Sequence, residues 1–249
     1  MLKLEGQVAV ITGGNSGIGL AAAQAFAAEG AAVTIVGRRR DAVDAAVAAI
    51  SRDATDVVGD TADLATHEKV IALVRERHGR LDIYMANAGG ATLEPSSDVT
   101  PSSYDAQFAT NTRGVFFGVT AALPAMRDGG VVLLTSSIAS AKVLPGHAVY
   151  AGSKAAIEAF ARSWAIEWKE RRIRVNVISP GPTATPILGK LSVADADLDA
   201  FEKANAQAIP LGRFARAQEV ARAALFLASD DGSFITGVNL RVDGGMALL

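Results

Sequence analysis

Short apolar runs alternate with helix-length segments along almost the whole chain. The runs are rich in aliphatic and β-branched residues, and their apolar character extends over their full length. This pattern is typical of strands that are buried on both faces of a sheet. It predicts strands at residues 7–12, 32–36, 56–59, 81–86, 130–135, 173–178 and 238–242.

The segments between these runs have the composition and the end signals of helices. An alanine-rich stretch, for example, closes with Gly30, a residue that commonly follows a helix C-terminus. Strands separated by helices indicate parallel pairing with right-handed crossovers, and therefore an α/β fold. Helices are predicted at residues 20–30, 41–50, 67–78, about 102–127 and 218–228, and a further helix carries Tyr150 and runs to about residue 170.

The chain reads as one domain over residues 1–249, because it contains no linker, repeat or low-complexity segment. One stretch breaks the alternation. Residues 182–212 carry prolines at 182, 186 and 210, with a predicted helix at 194–208. Long insertions of this kind often cover a ligand, so we expect a substrate-binding lid here.

Composition narrows the possible functions. The 249 residues are half hydrophobic, carry a formal net charge of −2 and include no cysteine. The charge gives no broad basic surface for nucleic acid, and the absence of cysteine excludes disulfides and thiolate ligands. No apolar run approaches the ~20 residues of a membrane span. We therefore expect a cytoplasmic protein without nucleic-acid or membrane partners. We also expect no metal, since His67 and His78 are not at ligand spacing and are predicted to lie on the surface.

A glycine-rich loop follows the first predicted strand. Residues 13–19 read Gly-Gly-Asn-Ser-Gly-Ile-Gly and lead directly into a helix. Glycines let the backbone approach a pyrophosphate, and the free N–H groups of a helix N-terminus face the negative charge. The loop therefore indicates dinucleotide binding, with a tight turn that binds nothing as the alternative.

Polar or glycine-rich residues also follow the other predicted strands. In an open parallel sheet, ligands bind beyond the carboxyl ends of the strands, so all of these residues are expected at one edge. They are Gly37 and Arg38, Asp60 and Thr61, Asn87 to Gly90, Ser136 and Ser137, and Pro180 to Pro182.

Tyr150 and Lys154 are a candidate acid/base pair. Their spacing of four places both side chains on one face of a helix. A nearby ammonium favours the phenolate, so Lys154 is expected to lower the pKa of Tyr150. Taken alone, the same spacing also fits an ordinary solvated helix.

Together these motifs resemble the short-chain dehydrogenase/reductase family over nearly the full length. The resemblance is carried by Thr12-Gly-x-x-x-Gly-Ile-Gly19, Asn87-Ala-Gly89, Tyr150-x-x-x-Lys154, Pro180-Gly-x-x-x-Thr185 and Val242-Asp-Gly-Gly245. It implies a Rossmann-like, doubly wound three-layer sandwich with a parallel sheet of about seven strands, usually assembled as a homotetramer, with a homodimer as the alternative.

The resemblance also implies roles for individual residues. The catalytic residues are Asn111, Ser137, Tyr150 and Lys154. Asn111 bends its helix and helps to hold a water, and Ser137 bonds the carbonyl oxygen. The substrate pocket includes Ser137, Ala139, His147 and Tyr150. The cofactor residues are Gly13, Asn15, Ser16, Gly17, Ile18, Gly19, Arg38, Arg39, Asp60, Thr61, Asn87, Ala88, Gly89, Tyr150, Lys154, Pro180, Gly181, Thr183 and Thr185.

The choice of cofactor depends on the end of the second predicted strand. Members of the family that prefer NAD usually carry an acidic residue there, whereas this chain has Gly37 followed by Arg38 and Arg39. An arginine can pair with a 2′-phosphate, so NADP(H) is preferred and NAD(H) remains possible. Asp60 is expected at the adenine.

The predicted function is an NADP(H)-dependent oxidoreductase that transfers hydride between the nicotinamide and a carbonyl or secondary alcohol, with Tyr150 as general acid/base. Three alternatives stay open. They are an NAD(H)-preferring alcohol dehydrogenase of the same family, a catalytically silent dinucleotide-binding regulator, and an enoyl reductase. The close spacing of Tyr150 and Lys154 disfavours the last of these, because enoyl reductases of the family space the two residues more widely. The identity of the small-molecule substrate is not readable from the sequence.

Overall fold

The structure is a computed structural model that describes residues 2–51, 53–186, 203 and 205–249. At its centre lies a parallel sheet of seven strands. Its strands are β1 (Val8–Thr12), β2 (Ala32–Gly37), β3 (Thr55–Val58), β4 (Leu81–Ala86), β5 (Met126–Thr135), β6 (Arg174–Pro180) and β9 (Asn239–Val242). A separate pair consists of β7 (Thr183–Ala184) and β8 (Ala215–Arg216). The helices are α1 (Gly17–Ala28), α2 (Arg40–Ile50), α3 (Leu64–His78), α4 (Pro101–Phe108), α5 (Gly114–Ala122), α6 (Ala148–Glu167) and α7 (Ala217–Ala228).

Two helical layers cover the sheet. Helices α1, α2 and α7 pack on one face, and α3, α5 and α6 pack on the other. Successive residues of β1 alternate between the layers: Ala9 and Ile11 face the first, whereas Val8 and Val10 face the second. Apolar residues at every position of a strand are needed only when both faces are buried. The predicted Rossmann-like three-layer fold is confirmed.

The strand order is β3-β2-β1-β4-β5-β6-β9. The chain therefore builds outward from β1 in one direction and then returns to continue from β4 in the other. Between the carboxyl ends of β1 and β4 the loops diverge to opposite faces and leave a crevice, which is where open α/β sheets bind ligands.

The prediction of one continuous helix at 102–127 is wrong, because the helix is interrupted by a π-helical turn and ends earlier than predicted. Helix α4 stops at Phe108, a π-helical turn covers Ala109–Arg113, and α5 ends at Ala122. The extra residue in the π turn is stabilised by tertiary hydrogen bonds of Asn111, which a pattern along the chain does not reveal. After one 3₁₀ turn, β5 begins at Met126, four residues earlier than predicted.

The prediction that His67 lies on the surface is also wrong, whereas His78 is exposed. The His67 side chain is only 3% exposed, and its Nε2 bonds the carbonyl oxygen of Thr61 at 2.9 Å. Gly118 on α5 makes room for the ring, because a Cβ there would lie 2.7 Å from His67 Cε1. Helix α3 begins at Leu64, three residues before the predicted start, where Asp63 caps the Ala65 N–H at 3.1 Å.

Smaller differences concern element ends and the expected lid. The helix that carries Tyr150 ends at Glu167 and is followed by a 3₁₀ turn, and β6 continues to Pro180. Most of the predicted helix at 194–208 lies outside the described residues, and so does much of the expected lid; residues 203, 205 and 206 are helical. The short parallel pair of β7 and β8 was not predicted.

Candidate active site

A cleft of about 840 Å³ lies beyond the carboxyl ends of the sheet strands. It is lined by the glycine loop after β1, the arginines after β2 and the polar residues after β3, β4, β5 and β6. The sequence-based expectation that these segments share one edge is therefore met. Of the predicted site residues, Gly19 and Asn111 do not line the cleft; the others do.

The glycine loop is shaped by close backbone contacts. Gly13 has φ 65°, and a Cβ there would lie 2.9 Å from Ala88 Cα. Gly19 lies behind the cleft, where a Cβ would lie 2.3 Å from the carbonyl oxygen of Gly13. Ser16, the N-cap of α1, makes no side-chain bond to the first turn. The backbone N–H groups of that turn therefore face the cleft as a site for an anion.

Asn87 connects three neighbouring strands. Its Nδ2 donates to the carbonyl oxygen of Thr12 at 3.1 Å, and its backbone N–H donates to Thr12 Oγ1 at 3.0 Å. Thr135 Oγ1 donates to Asn87 Oδ1 at 3.3 Å. The ends of β1, β4 and β5 are thereby fixed to one another, and the loops that form the cleft are fixed with them.

The arginines after β2 point to the polar end of the cleft. Arg38 and Arg39 are exposed, and Arg38 Nη1 lies 3.8 Å from Asp60 Oδ2. Arg40, by contrast, is engaged by Asp44 and Asp56, at 3.1 Å and 2.9 Å. A side chain at Gly37 would collide with Asn15, because a Cβ there would lie 2.6 Å from Asn15 Oδ1. The end of β2 therefore presents the two cations Arg38 and Arg39 to the cleft, and it has a glycine rather than a carboxylate at position 37.

Lys154 is buried beside Tyr150. Its side chain is 4% exposed, and Nζ donates to the carbonyl oxygen of Thr135 at 2.8 Å and lies 5.9 Å from the centre of the Tyr150 ring. Burial lowers the pKa of Lys154 to about 8. The lysine therefore remains mostly charged near neutral pH and can lose its proton just above it.

The expected lowering of the Tyr150 pKa by Lys154 does not occur in this structure. Burial raises the pKa of Tyr150, and the hydrogen bond from Ser137 acts in the opposite direction without reversing the shift. The cost of placing a phenolate in a poorly solvated position outweighs the single neutral donor. The Lys154 ammonium meanwhile bonds a backbone carbonyl.

Ser137 and Asn111 hold positions on either side of this pair. Ser137 Oγ accepts the Ala139 N–H at 3.2 Å, so the serine also caps a 3₁₀ turn. Asn111 is fully buried in the π turn, where its Nδ2 donates to the Gly90 carbonyl oxygen at 2.8 Å and its Oδ1 accepts the Gly90 N–H at 2.9 Å. The Asn111 side chain therefore holds the loop after β4 rather than facing the cleft.

The remaining part of the cleft is mostly apolar. Ala139 and His147 line it as predicted, and the His147 ring centre lies 6.4 Å from that of Tyr150. The sequence analysis missed Thr110, Phe214 and Met246, which line the same cleft. Phe214 and Met246 come from chain segments far from the catalytic helix, so no local pattern marks them.

The described residues contain no cluster of three or more histidines or carboxylates that could hold a metal ion. Within the same part of the chain, none of the helices is long and apolar enough to cross a membrane.

Comparison with known proteins places this site in context. Residues 13–247 match a family model described as enoyl-(acyl carrier protein) reductase. The chain is 42% identical to oxidoreductase asL5 of Sarocladium schorii over 98% of its own length and 97% of the relative. It is 38% identical to versicolorin reductase 1 of Aspergillus parasiticus, covering 98% and 97% of the two chains. It is 34% identical to tetrahydroxynaphthalene reductase of Pyricularia oryzae, covering 99% and 91%.

The fold also has similar solved counterparts. The structure of a short-chain dehydrogenase/reductase from Serratia marcescens superimposes with a TM-score of 0.91 and is 31% identical in sequence. The match covers 98% of this chain and 99% of that one.

Proposed function

The chain belongs to the short-chain dehydrogenase/reductase family of oxidoreductases, and on this premise we propose that it uses NADP(H) to interconvert a carbonyl and a secondary alcohol, with residues 1–249 as one catalytic domain. The observation that carries the proposal is the meeting of Tyr150, Lys154 and Ser137 in the cleft that the glycine loop and Arg38 also line.

The residues of the cleft fit a nicotinamide dinucleotide. Gly13 keeps its loop pressed against Ala88, and the first turn of α1 offers its N–H groups to the pyrophosphate. Arg38 and Arg39 would hold a 2′-phosphate, a group that NAD lacks, and Asp60 would lie at the adenine side. When bound, the nicotinamide supplies or accepts the hydride.

The chain's own chemistry is proton transfer and charge stabilisation. In the reductive direction, Tyr150 gives its phenolic proton to the carbonyl oxygen, and in the oxidative direction it takes the hydroxyl proton. The raised pKa keeps the phenol protonated near neutral pH, which is the form that donates a proton in the reductive direction. Ser137 donates to the oxygen as negative charge develops, and the Lys154 ammonium stabilises that charge from below the ring.

His147 indicates the kind of substrate. Its Nδ1 lies 2.8 Å from the carbonyl oxygen of Pro145. Because a carbonyl only accepts, Nδ1 carries the proton, and Nε2 of the neutral ring is an acceptor. We propose that the substrate has an apolar body and carries a hydroxyl group near the reacting carbonyl. The name of the relative tetrahydroxynaphthalene reductase, which refers to a hydroxylated aromatic compound, agrees with this assignment.

Reduction of a C=C bond conjugated to a thioester is the second candidate, because the matching family model carries that description. Enoyl reductases of the family space the tyrosine and the lysine more widely than Tyr150 and Lys154, which lie one turn apart on α6. We therefore favour the carbonyl. A homotetramer is proposed on the precedent of the family.

A substrate panel followed at the nicotinamide absorbance tests these proposals. It should pair a hydroxylated aromatic ketone with the same ketone lacking the hydroxyl, and include an enoyl thioester, each with NADPH and NADH. We expect NADPH to be preferred and the hydroxylated ketone to be reduced at least about tenfold better, as one hydrogen bond predicts. The variant His147→Phe should abolish that preference. Faster reduction of the enoyl thioester, or a preference for NADH, would contradict the proposal.

A further inference from the structure

A carboxylate that no motif singled out lies within hydrogen-bond distance of three serine hydroxyls. Glu158 lies on α6 one turn after Lys154 and two turns after Tyr150. Its Oε1 accepts from Ser136 Oγ at 2.7 Å and from Ser140 Oγ at 2.5 Å. A third hydroxyl, Ser179 Oγ on β6, lies 3.4 Å from the same atom.

Two of these serines flank Ser137, which is proposed to bond the carbonyl oxygen. Ser136 directly precedes Ser137 and donates its backbone N–H to the carbonyl oxygen of Ile178 at 2.8 Å. Ser140 ends the 3₁₀ turn that Ser137 caps, and its Oγ also lies 2.7 Å from the Ser137 carbonyl oxygen. The segment that carries Ser137 is therefore held at both of its ends by one carboxylate oxygen.

The Glu158 carboxylate is an acceptor for hydroxyl groups and is not part of a salt bridge among the described residues. Among the described residues Glu158 forms no ion pair within 4 Å, and its side chain contacts the hydroxyl groups of Ser136, Ser140 and Ser179. Hydrogen bonds to an ionised acceptor are about twice as strong as those between neutral groups. Ser136 Oγ lies 3.2 Å from the Lys154 carbonyl oxygen but 2.7 Å from Glu158 Oε1, so its single proton has the carboxylate as its nearer acceptor.

We propose that Glu158 is a positioning residue that sets the separation of Ser137 and Tyr150 by fixing the Ser137 segment to the catalytic helix. It touches neither substrate nor cofactor and acts through Ser137. The inference rests on the proposed function, because that function gives Ser137 its task. A shift of about 1 Å in such a group costs roughly 100-fold in rate.

A double-mutant cycle between positions 158 and 137 tests the proposal. Glu158→Ala should lower kcat roughly 10- to 100-fold, with the KM for the cofactor unchanged within about twofold. In a Ser137→Ala background the same change should cost less than about threefold, because the group it positions is gone. Glu158→Gln should recover most of the kcat, since its amide oxygen still accepts hydroxyl bonds. Glu167→Ala, at the exposed end of the same helix, is the matched control and should change nothing.

A second measurement is independent of turnover. The hydrogen bond from Ser137 lowers the pKa of Tyr150 against the effect of burial, so loosening Ser137 should raise that pKa further. The pKa of Tyr150 can be measured from tyrosinate absorbance across alkaline pH. The Tyr150→Phe variant identifies the contribution of Tyr150 to that absorbance. If Glu158→Ala does not fold, the combined Ser136→Ala and Ser140→Ala variant removes the same contacts and should give the same two results.

Additive losses in the cycle, or a Tyr150 titration that Glu158→Ala leaves unchanged, would overturn the inference. Failure of the proposed function looks different: the wild-type protein would reduce none of the carbonyl compounds with either cofactor. In that case the tyrosinate titration still decides whether Glu158 positions Ser137.

Discussion

The buried ammonium of Lys154 should make the stability of the cofactor-free protein depend on pH in a specific way. Burial lowers the pKa of Lys154 from 10.5 to about 8 in the folded state. Below pH ~8 the lysine is charged in both the folded and the unfolded chain, so folding pays the full cost of burying the charge. Between the two pKa values folding releases a proton, and stability rises with pH. Above the higher value the lysine is neutral in both states and the cost disappears.

The size of this effect follows from the two pKa values. One pKa unit corresponds to about 1.4 kcal/mol, so the whole shift corresponds to about 3 kcal/mol. About 2 kcal/mol of it should be regained between pH ~7 and pH ~10.

Urea unfolding of the wild-type protein and of Lys154→Met at a series of pH values isolates the effect. The free energy of unfolding of Lys154→Met minus that of the wild type should be largest near neutral pH. This difference should fall by about 2 kcal/mol at the alkaline end. The difference between the two proteins removes the contribution of other titrating groups. Lys69→Met, at an exposed position of α3, should show a difference that does not change with pH. A constant difference for Lys154→Met would refute the claim that this lysine is perturbed by burial.

Three further predictions concern other parts of the molecule. Arg38→Asp should lower kcat/KM for NADPH by about 100-fold and leave that for NADH within about threefold, because only the 2′-phosphate loses its partner; steady-state kinetics with both cofactors checks this. Asn111→Leu leaves the N–H and carbonyl of Gly90 unpaired, so thermal and urea unfolding should show a loss of about 2 kcal/mol, together with a lower kcat. Asp82→Asn removes the charge of a carboxylate that is 1% exposed and pairs with Arg127. Urea unfolding should therefore show a loss of about 2 kcal/mol in the free energy of unfolding, with little change in KM.

Most of the sheet and the outline of the site could be predicted from the sequence. Strand β4 was predicted with its observed ends, because its buried run is apolar except for Asp82 and stops where polar residues begin. The edge where the loops meet follows from parallel topology, which needs no side-chain detail.

Features that depend on contacts between distant segments could not be predicted. The π turn at Asn111 requires its bonds to Gly90 and Ser153, and the burial of His67 requires the space above Gly118. The serines around Glu158 lie between 18 and 22 residues from it, so no periodic pattern brings them together.

The local environment of Tyr150 also differed from the expectation drawn from spacing. A distance of four residues says that Lys154 shares a helix face with Tyr150, but it does not say how much water reaches the phenol. Burial decides the direction of the pKa shift.

Hydride transfer by Tyr150→Phe, measured in a single turnover with cofactor affinity determined in parallel, tests the central claim most directly. The variant keeps the ring and removes only the hydroxyl, so the cleft and the cofactor contacts stay in place. We predict a rate at least about 100-fold lower with NADPH affinity within about threefold of the wild type. A rate close to that of the wild type would contradict the proposal that the Tyr150 hydroxyl moves the proton.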